Sequence, residues 1–259
     1  MPDISLTMLI VLCLAAGAAG WIDAVVGGGG LLMLPALLLG LPHVPAAHIL
    51  GTNKAVAIVG TSGAAVTYVR KAPVNVKTAV RIGLAALAGS MTGAFFAAGI
   101  SSAVLRPVIL VVLLGVAAFV MFKPAFGTGT SGQPVTRART VTAIVLVGGG
   151  IGLYDGLFGP GTGTFLVLAL TAVLHLDLVT ASATAKIVNV CTNVGALAMF
   201  AYQGNVMWQL AAIMAVFNLA GGLIGARMAL SKGSEFVRGV LLVVVFSLVA
   251  KLAFDQWNA

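Results

Sequence analysis

Two lysines and two aspartates stand where charge is rare. Lys54 and Lys186 fall inside long apolar runs, and Asp23 and Asp155 stand at the head of glycine-rich stretches. Asp155 lies 132 residues after Asp23, and Lys186 lies 132 after Lys54. A lysine deep in an apolar helix is costly unless it snorkels, pairs or serves a site. Two chemistries fit. One is a structural ion pair within each half, Lys54 with Asp23 and Lys186 with Asp155. The other is a cationic site for a small anion. They coexist if the aspartate releases the lysine when substrate or a proton arrives, which makes Asp23 and Asp155 candidate proton carriers.

The glycines supply neutral donors. A helix that restarts after a break offers unpaired N–H groups and a positive dipole end, which attract anions. Gly27 to Gly30 and the Gly161-Thr162-Gly163-Thr164 segment are such restarts. Glycine lets backbone approach a ligand, and threonine adds hydroxyls. Candidate contacts are therefore Gly28, Gly29, Gly30, Gly161, Thr162, Gly163 and Thr164. Asn189 and Asn193 are four apart and share a helix face with Lys186, so the three form a polar stripe. Asn53 adjoins Lys54. Thr61 and Asn193 are 132 apart, so both halves stay polar there. Tyr154 could hydrogen-bond substrate. Isolated glycines such as Gly221 and Gly225 read as helix-packing positions. Arg106 and Arg238 read as snorkelling residues at the starts of the last helices of each half, and His43 and His175 as loop or capping residues.

These residues need a membrane to position them. The 259-residue chain is 60% hydrophobic and 8% charged, against roughly 25% charged in a soluble domain. Successive apolar runs predict an all-α polytopic membrane protein. Its first run begins after Asp3, lacks a basic leader and continues into the glycines, so it reads as a span and not a signal peptide. The net charge of +8 sits mostly in short loops, which points to lipid rather than nucleic acid.

The pattern predicts about eight transmembrane helices in two homologous halves, 1–122 and 137–259, joined by a linker at 123–136. Each half has a glycine-broken or re-entrant segment: about 6–41 split at Gly27–Gly30, and about 141–174 split at Gly159–Gly161. Helices are predicted near 46–69, 78–98, 103–122, 180–202, 206–230 and 237–254. If each broken run crosses once, the repeats are parallel, both chain ends are cytoplasmic, and Arg106, Lys232 and Arg238 lie outside. If each run returns to its own side, the repeats are inverted. Charge counting leans to the first.

Cys13 and Cys191 lie in apolar runs and imply neither disulfide nor metal. The chain carries no GxxxxGK[ST] loop, no HExxH and no nucleophile–base–orienter set. This argues against an enzyme, a metal, a cofactor or direct ATP drive.

The segments GWIDAVVGGGG, GTNKA, GLYDGLFGPGTGTF and ASATAKIVN resemble the hallmark segments of the sulfite exporter TauE/SafE family of membrane transporters. The resemblance runs from about Leu6 to Phe254. It implies a multi-pass protein of the bacterial inner membrane that carries sulfite, sulfoacetate or related organosulfonates. It places substrate contacts around Gly27 to Gly30, Asn53, Lys54, Gly161 to Thr164, Lys186 and Asn189. The expected activity is secondary transport of a small oxyanion, with possible proton coupling. A passive anion channel is the alternative. Substrate, coupling ion, direction and oligomeric state stay open.

Overall fold

The computed structural model describes residues 4–122 and 136–257. The predicted linker lies outside the described residues except for Thr136. Among the described residues the chain is helical, without strands: α1 Leu6–Val26, α2 Gly29–Gly40, α3 Ala46–Val69, α4 Val76–Gly99, α5 Ser102–Phe122, α6 Arg137–Thr142, a π-helical segment Ala143–Gly150, α7 Ile151–Leu157, α8 Thr162–Leu174, α9 Leu178–Tyr202 and α10 Trp208–Trp257. Helix α6, the π segment and α7 form one continuous rod, Arg137–Leu157. Side chains fix several starts. Ser5, Asn75, Thr136 and Asp177 each accept a backbone N–H of the first turn, which satisfies a donor the helix itself cannot.

Six of the described helices are long and apolar enough to cross a membrane, and α2 and α8 are shorter apolar pieces. The predicted helices at 206–230 and 237–254 are joined as α10, which is interrupted only at Gly233 (φ 74°, ψ −167°).

Each broken run folds back on itself. Gly29 packs against Ala19 and Asp23, whereas Gly40, at the other end of α2, packs against Met8 and Leu12. Helix α2 therefore runs antiparallel to α1. In the second run, α8 starts beside α7 and returns along the π segment to α6. Its Leu166, Val167, Leu170 and Leu174 bury against Ala143 and Val147. The reversals use left-handed backbone: Gly27 at φ 78°, and Gly159 and Gly161 at 86° and 74°. Only glycine adopts these without strain.

Neighbour pairs then fix the direction of the six candidate spans. Gly17 and Trp21 of α1 meet Gly221 and Gly225 of α10, and Gly51 and Gly60 of α3 meet Asn205 and Asn218. Thus α1, α3 and the first part of α10 run one way. Gly83 and Leu87 of α4 meet Cys191 and Gly195 of α9, while Gly152 and Gly156 of α7 meet Ala86 and Ser90 of α4. So α4, α7 and α9 run the other way. Glycines at these crossings let backbones touch, as expected of helices packing without hydrophobic drive.

This overturns the single-crossing, parallel reading. The loop Arg70–Asn75, the start of α9 and the α10 break share one apolar cluster, which includes Ala72, Val74, Leu178 and Phe236. Arg70, Lys71, Lys77, Arg81, Arg137, Arg139 and Lys232 therefore gather at one end of the bundle. Lys232 was expected at the other. Helix α1 starts at the opposite end, where Met8 and Val44 pack with Leu105 and Met207.

Arg106 is a second correction. It does not reach outward. Its guanidinium donates to the carbonyls of Leu38, Leu41 and Val44, at and just beyond the open C-terminal end of α2. The Leu38 carbonyl belongs to the last turn and has no intrahelical partner, Leu41 O otherwise accepts only Val44 N–H, and a guanidinium fork suits such a set better than an ammonium. The side chain of Arg238 lies outside the described residues. Arg106→Ala should lower stability by about 1–3 kcal/mol, the cost of orphaned buried acceptors, with Arg106→Lys intermediate. Thermal unfolding of the detergent-purified protein measures this.

Candidate functional site

The two reversals meet. The N–H of Thr164 donates to Gly27 O at 3.1 Å, and its hydroxyl donates to Val26 O at 3.0 Å. Helix α8 thus caps the C-terminal carbonyls of α1, and positive dipole end meets negative. Gly163 and Gly27 touch backbone to backbone. Gly30 lies against Gly159 and Pro160. Neither α2 nor α8 has a side-chain N-cap.

Lys54 and Lys186 each sit eight residues after the first residue of their helices, Ala46 and Leu178. At 1.5 Å per residue that is about 12 Å of depth, close to the middle of a hydrocarbon core of about 30 Å. The two helices enter from opposite ends, so the lysines converge. Lys54 is 2% exposed and Lys186 is fully buried.

The ion pairs are crossed. Lys54 Nζ lies 2.6 Å from Asp155 Oδ1, and Lys186 Nζ lies 2.9 Å from Asp23 Oδ2. The within-half pairs, Lys54 with Asp23 and Lys186 with Asp155, do not form. Converging helices put each lysine beside the reversal of the other half; Lys54 Nζ rests against Gly159. Each carboxylate has a hydroxyl partner as well. Thr61 donates to Asp23 at 3.1 Å, and Ser90 to Asp155 at 3.3 Å. The single Ser90 proton is shared with Thr192 O at 2.7 Å, so its contact to Asp155 is the weaker arm.

A small cavity of about 30 Å³ lies between these groups. Asp23, Lys54 and Asp155 line it, together with Thr61 and Thr162 and the amides of Asn53, Asn189, Asn193 and Asn218. Gly29, Gly30 and Gly163 contribute backbone, and Gly27 and Gly159 border it. Of the expected contacts, Gly28, Gly161, Thr164 and Lys186 are not among its lining. Gly28 and Gly161 precede the first turns of α2 and α8, Thr164 ties α8 to α1, and Lys186 lies beneath Asp23.

Polar partners orient the lining. Thr192 Oγ1 shares its proton between Asn189 O at 3.0 Å and Asn189 Oδ1 at 3.1 Å, which fixes the Asn189 side chain at the cavity wall. Thr162 Oγ1 donates to Gly159 O at 3.0 Å. Asn53 is 4% exposed, and its side-chain oxygen is buried without a hydrogen-bond partner. Such a group costs about 1–3 kcal/mol, and buried polar groups in native proteins rarely go unmatched. Tyr154 is not free for a ligand, since its hydroxyl donates to Pro160 O. His175 ends α8 in left-handed conformation (φ 52°).

Two residues of the site escaped the sequence reading. Asn218, 3% exposed, donates to Ala16 O at 2.8 Å and lines the cavity. It is an isolated amide in a long apolar helix, and that contrast was the available signal. Ser90, fully buried, carried none.

Among the described residues no cluster of three or more histidine, cysteine or acidic side chains could hold a metal. The arrangement offers two ammonium groups, each held by a carboxylate, beside helix starts without side-chain caps and the unpartnered side-chain oxygen of Asn53.

The family model described as "Sulfite exporter TauE/SafE" matches residues 12–252. The chain is 33% identical to "Probable membrane transporter protein ORF9" of a Sinorhizobium species, covering 98% of this chain and 96% of that one. It is 32% identical to a "Probable membrane transporter protein" of Haemophilus influenzae, covering 98% of each chain. It is also 32% identical to "Probable membrane transporter protein YfcA" of Escherichia coli K12, over 98% and 92% of the two chains. No solved structure matches the chain. The chain is an integral membrane transporter belonging to the sulfite exporter TauE/SafE family.

Proposed function

We propose that the protein is a secondary transporter of a small oxyanion, sulfite or an organosulfonate such as sulfoacetate, in a bacterial inner membrane. The observation that carries this reading is the pair of crossed lysine–aspartate contacts beside two uncapped helix starts. The family description supports a sulfur oxyanion. Lys54 and Lys186 neutralise the anion. N–H groups of Gly28 to Gly30 and of Gly161 to Gly163 bind it, together with the Thr162 and Thr164 segment that frames them, and with Asn53, Asn189 and Asn193. Asp23 or Asp155 carries a proton.

The two halves, 1–122 and 137–259, are inverted copies joined by 123–136. The equal offsets of the aspartates, lysines and glycines support duplication, and the opposed helix directions support inversion. Both crossed pairs join one half to the other, so they must loosen when the halves move. The basic end faces the cytoplasm, by the charge bias of membrane loops. The small size of the cavity favours a gated carrier over an open pore.

The test is uptake by vesicles reconstituted with the purified protein, using a panel of sulfite, sulfoacetate, thiosulfate and taurine. A pH gradient should drive at least one sulfur oxyanion to accumulate against its gradient. Flux that only equilibrates would indicate a channel, and no flux of any member would remove the substrate class.

A further inference from the structure

We propose that one proton crosses with each negative charge of the anion, so that transport is electroneutral, and that Asp23 takes the first of those protons. This rests on the transport reading above.

Charge balance sets the requirement. The charged groups at the site are Lys54, Lys186, Asp23 and Asp155, each lysine paired with one carboxylate. Arg227, another cation on α10, is exposed and is not part of the cavity lining. The empty site is therefore neutral. An anion entering it unaccompanied would bury a net charge, which low-dielectric surroundings oppose strongly. Neutrality returns if a carboxylate takes a proton from water. That carboxylate becomes a neutral acid, its lysine keeps its charge, and the ammonium turns to the anion. No bond in the substrate is made or broken. A monoanion needs one such event. A dianion such as sulfoacetate needs both carboxylates.

The two carboxylates are not equivalent. Asp155 is 2% exposed, with Lys54 at 2.6 Å and Ser90 beside it. Asp23 is 16% exposed, and its lysine is farther away, at 2.9 Å. The groups facing Asp23 are Lys186 from α9, Thr61 and Tyr68 from α3, and, across the shared cavity, Lys54 from α3 and Asp155 from α7. Helix α10 adds the neutral Asn218, and the sequences of α2 and α8 contain no titratable group. Asp23 is thus the more accessible of the two carboxylates.

Flux into vesicles of sulfoacetate, or of whichever sulfur oxyanion of the panel the wild type carries, is measured with and without a valinomycin-set potassium potential. Each condition is run at equal pH and with a pH gradient. Wild-type flux should follow the pH gradient and ignore the potential. In Asp23→Asn the resting site keeps one uncompensated ammonium. Each cycle then moves net charge, so flux should respond at least about fivefold to the potential, and its response to pH should fall, by the one proton of two that Asp23 carries for a dianion and almost entirely for a monoanion. Asp23→Glu should restore wild-type behaviour, which separates coupling from damage to the fold. Wild-type flux that follows the potential would overturn the proposal and leave the transport reading intact. So would an Asp23→Asn protein with undiminished pH coupling.

Discussion

Lys186→Ala should cut anion transport by about 100-fold or more, equivalent to ~2.7 kcal/mol, and Lys54→Ala should do the same. Each change removes one of the two buried cations that compensate the substrate. Each also strands a carboxylate. Breaking a buried pair from one side costs about 3–5 kcal/mol, whereas removing both partners is often close to neutral. The crossed geometry therefore makes a specific rescue prediction. Asp155→Ala should restore the folded yield of Lys54→Ala, and Asp23→Ala should not. Conversely, Asp23→Ala should restore Lys186→Ala. No double variant should regain transport. A double-mutant cycle on unfolding midpoints, read alongside vesicle uptake, separates the two effects. Rescue that followed the within-half pairing would contradict the geometry.

Gly27→Ala should be among the most damaging single changes to the fold. Gly27 has φ 78°, and a Cβ there would fall within the backbone of Gly163. The left-handed conformation costs an L-residue about 1–2 kcal/mol, and overpacking a tight contact adds about 1–3 kcal/mol. The contact cannot relax cheaply, because Thr164 N–H is bound to Gly27 O there. The expected outcome is a thermal midpoint lowered by several degrees or loss of folded protein, with no transport. Gly99→Ala is the control. Nothing lies within 4 Å of where its added methyl would sit, so its stability should be nearly unchanged.

The membrane class, the two breaks and the buried lysines were legible in one sequence, because they follow from composition and local chemistry. Charged residues are rare enough here that equal offsets between Asp23 and Asp155 and between Lys54 and Lys186 carry weight. The pairing of those charges was not legible. A constant offset is compatible with pairs inside each half or between halves, and only the directions of α3 and α9 decide. Those directions depend on whether α2 and α8 turn back. The glycines at 27 and 159 permit that turn without requiring it, since glycine also tolerates a kinked single crossing. The charge count misled for the same reason, because the wrong parity put Lys232 at the wrong end. Arg106 was read as an end-of-helix cation. Its true partners are carbonyls of Leu38, Leu41 and Val44, more than 60 residues earlier, beyond the reach of local pattern. Asn218 shows the opposite case: a lone amide in an apolar span was visible, but nothing local tied it to Asn53 and Asn189.

The most direct measurement is an experimental structure of the protein with sulfoacetate or sulfite bound. An oxyanion should lie between the two reversals, within hydrogen-bonding distance of Lys54 or Lys186 and of backbone N–H groups in Gly28–Gly30 or Gly161–Gly163. At least one lysine should have left its aspartate. Bound anion elsewhere in the molecule, with both crossed pairs intact, would contradict the account.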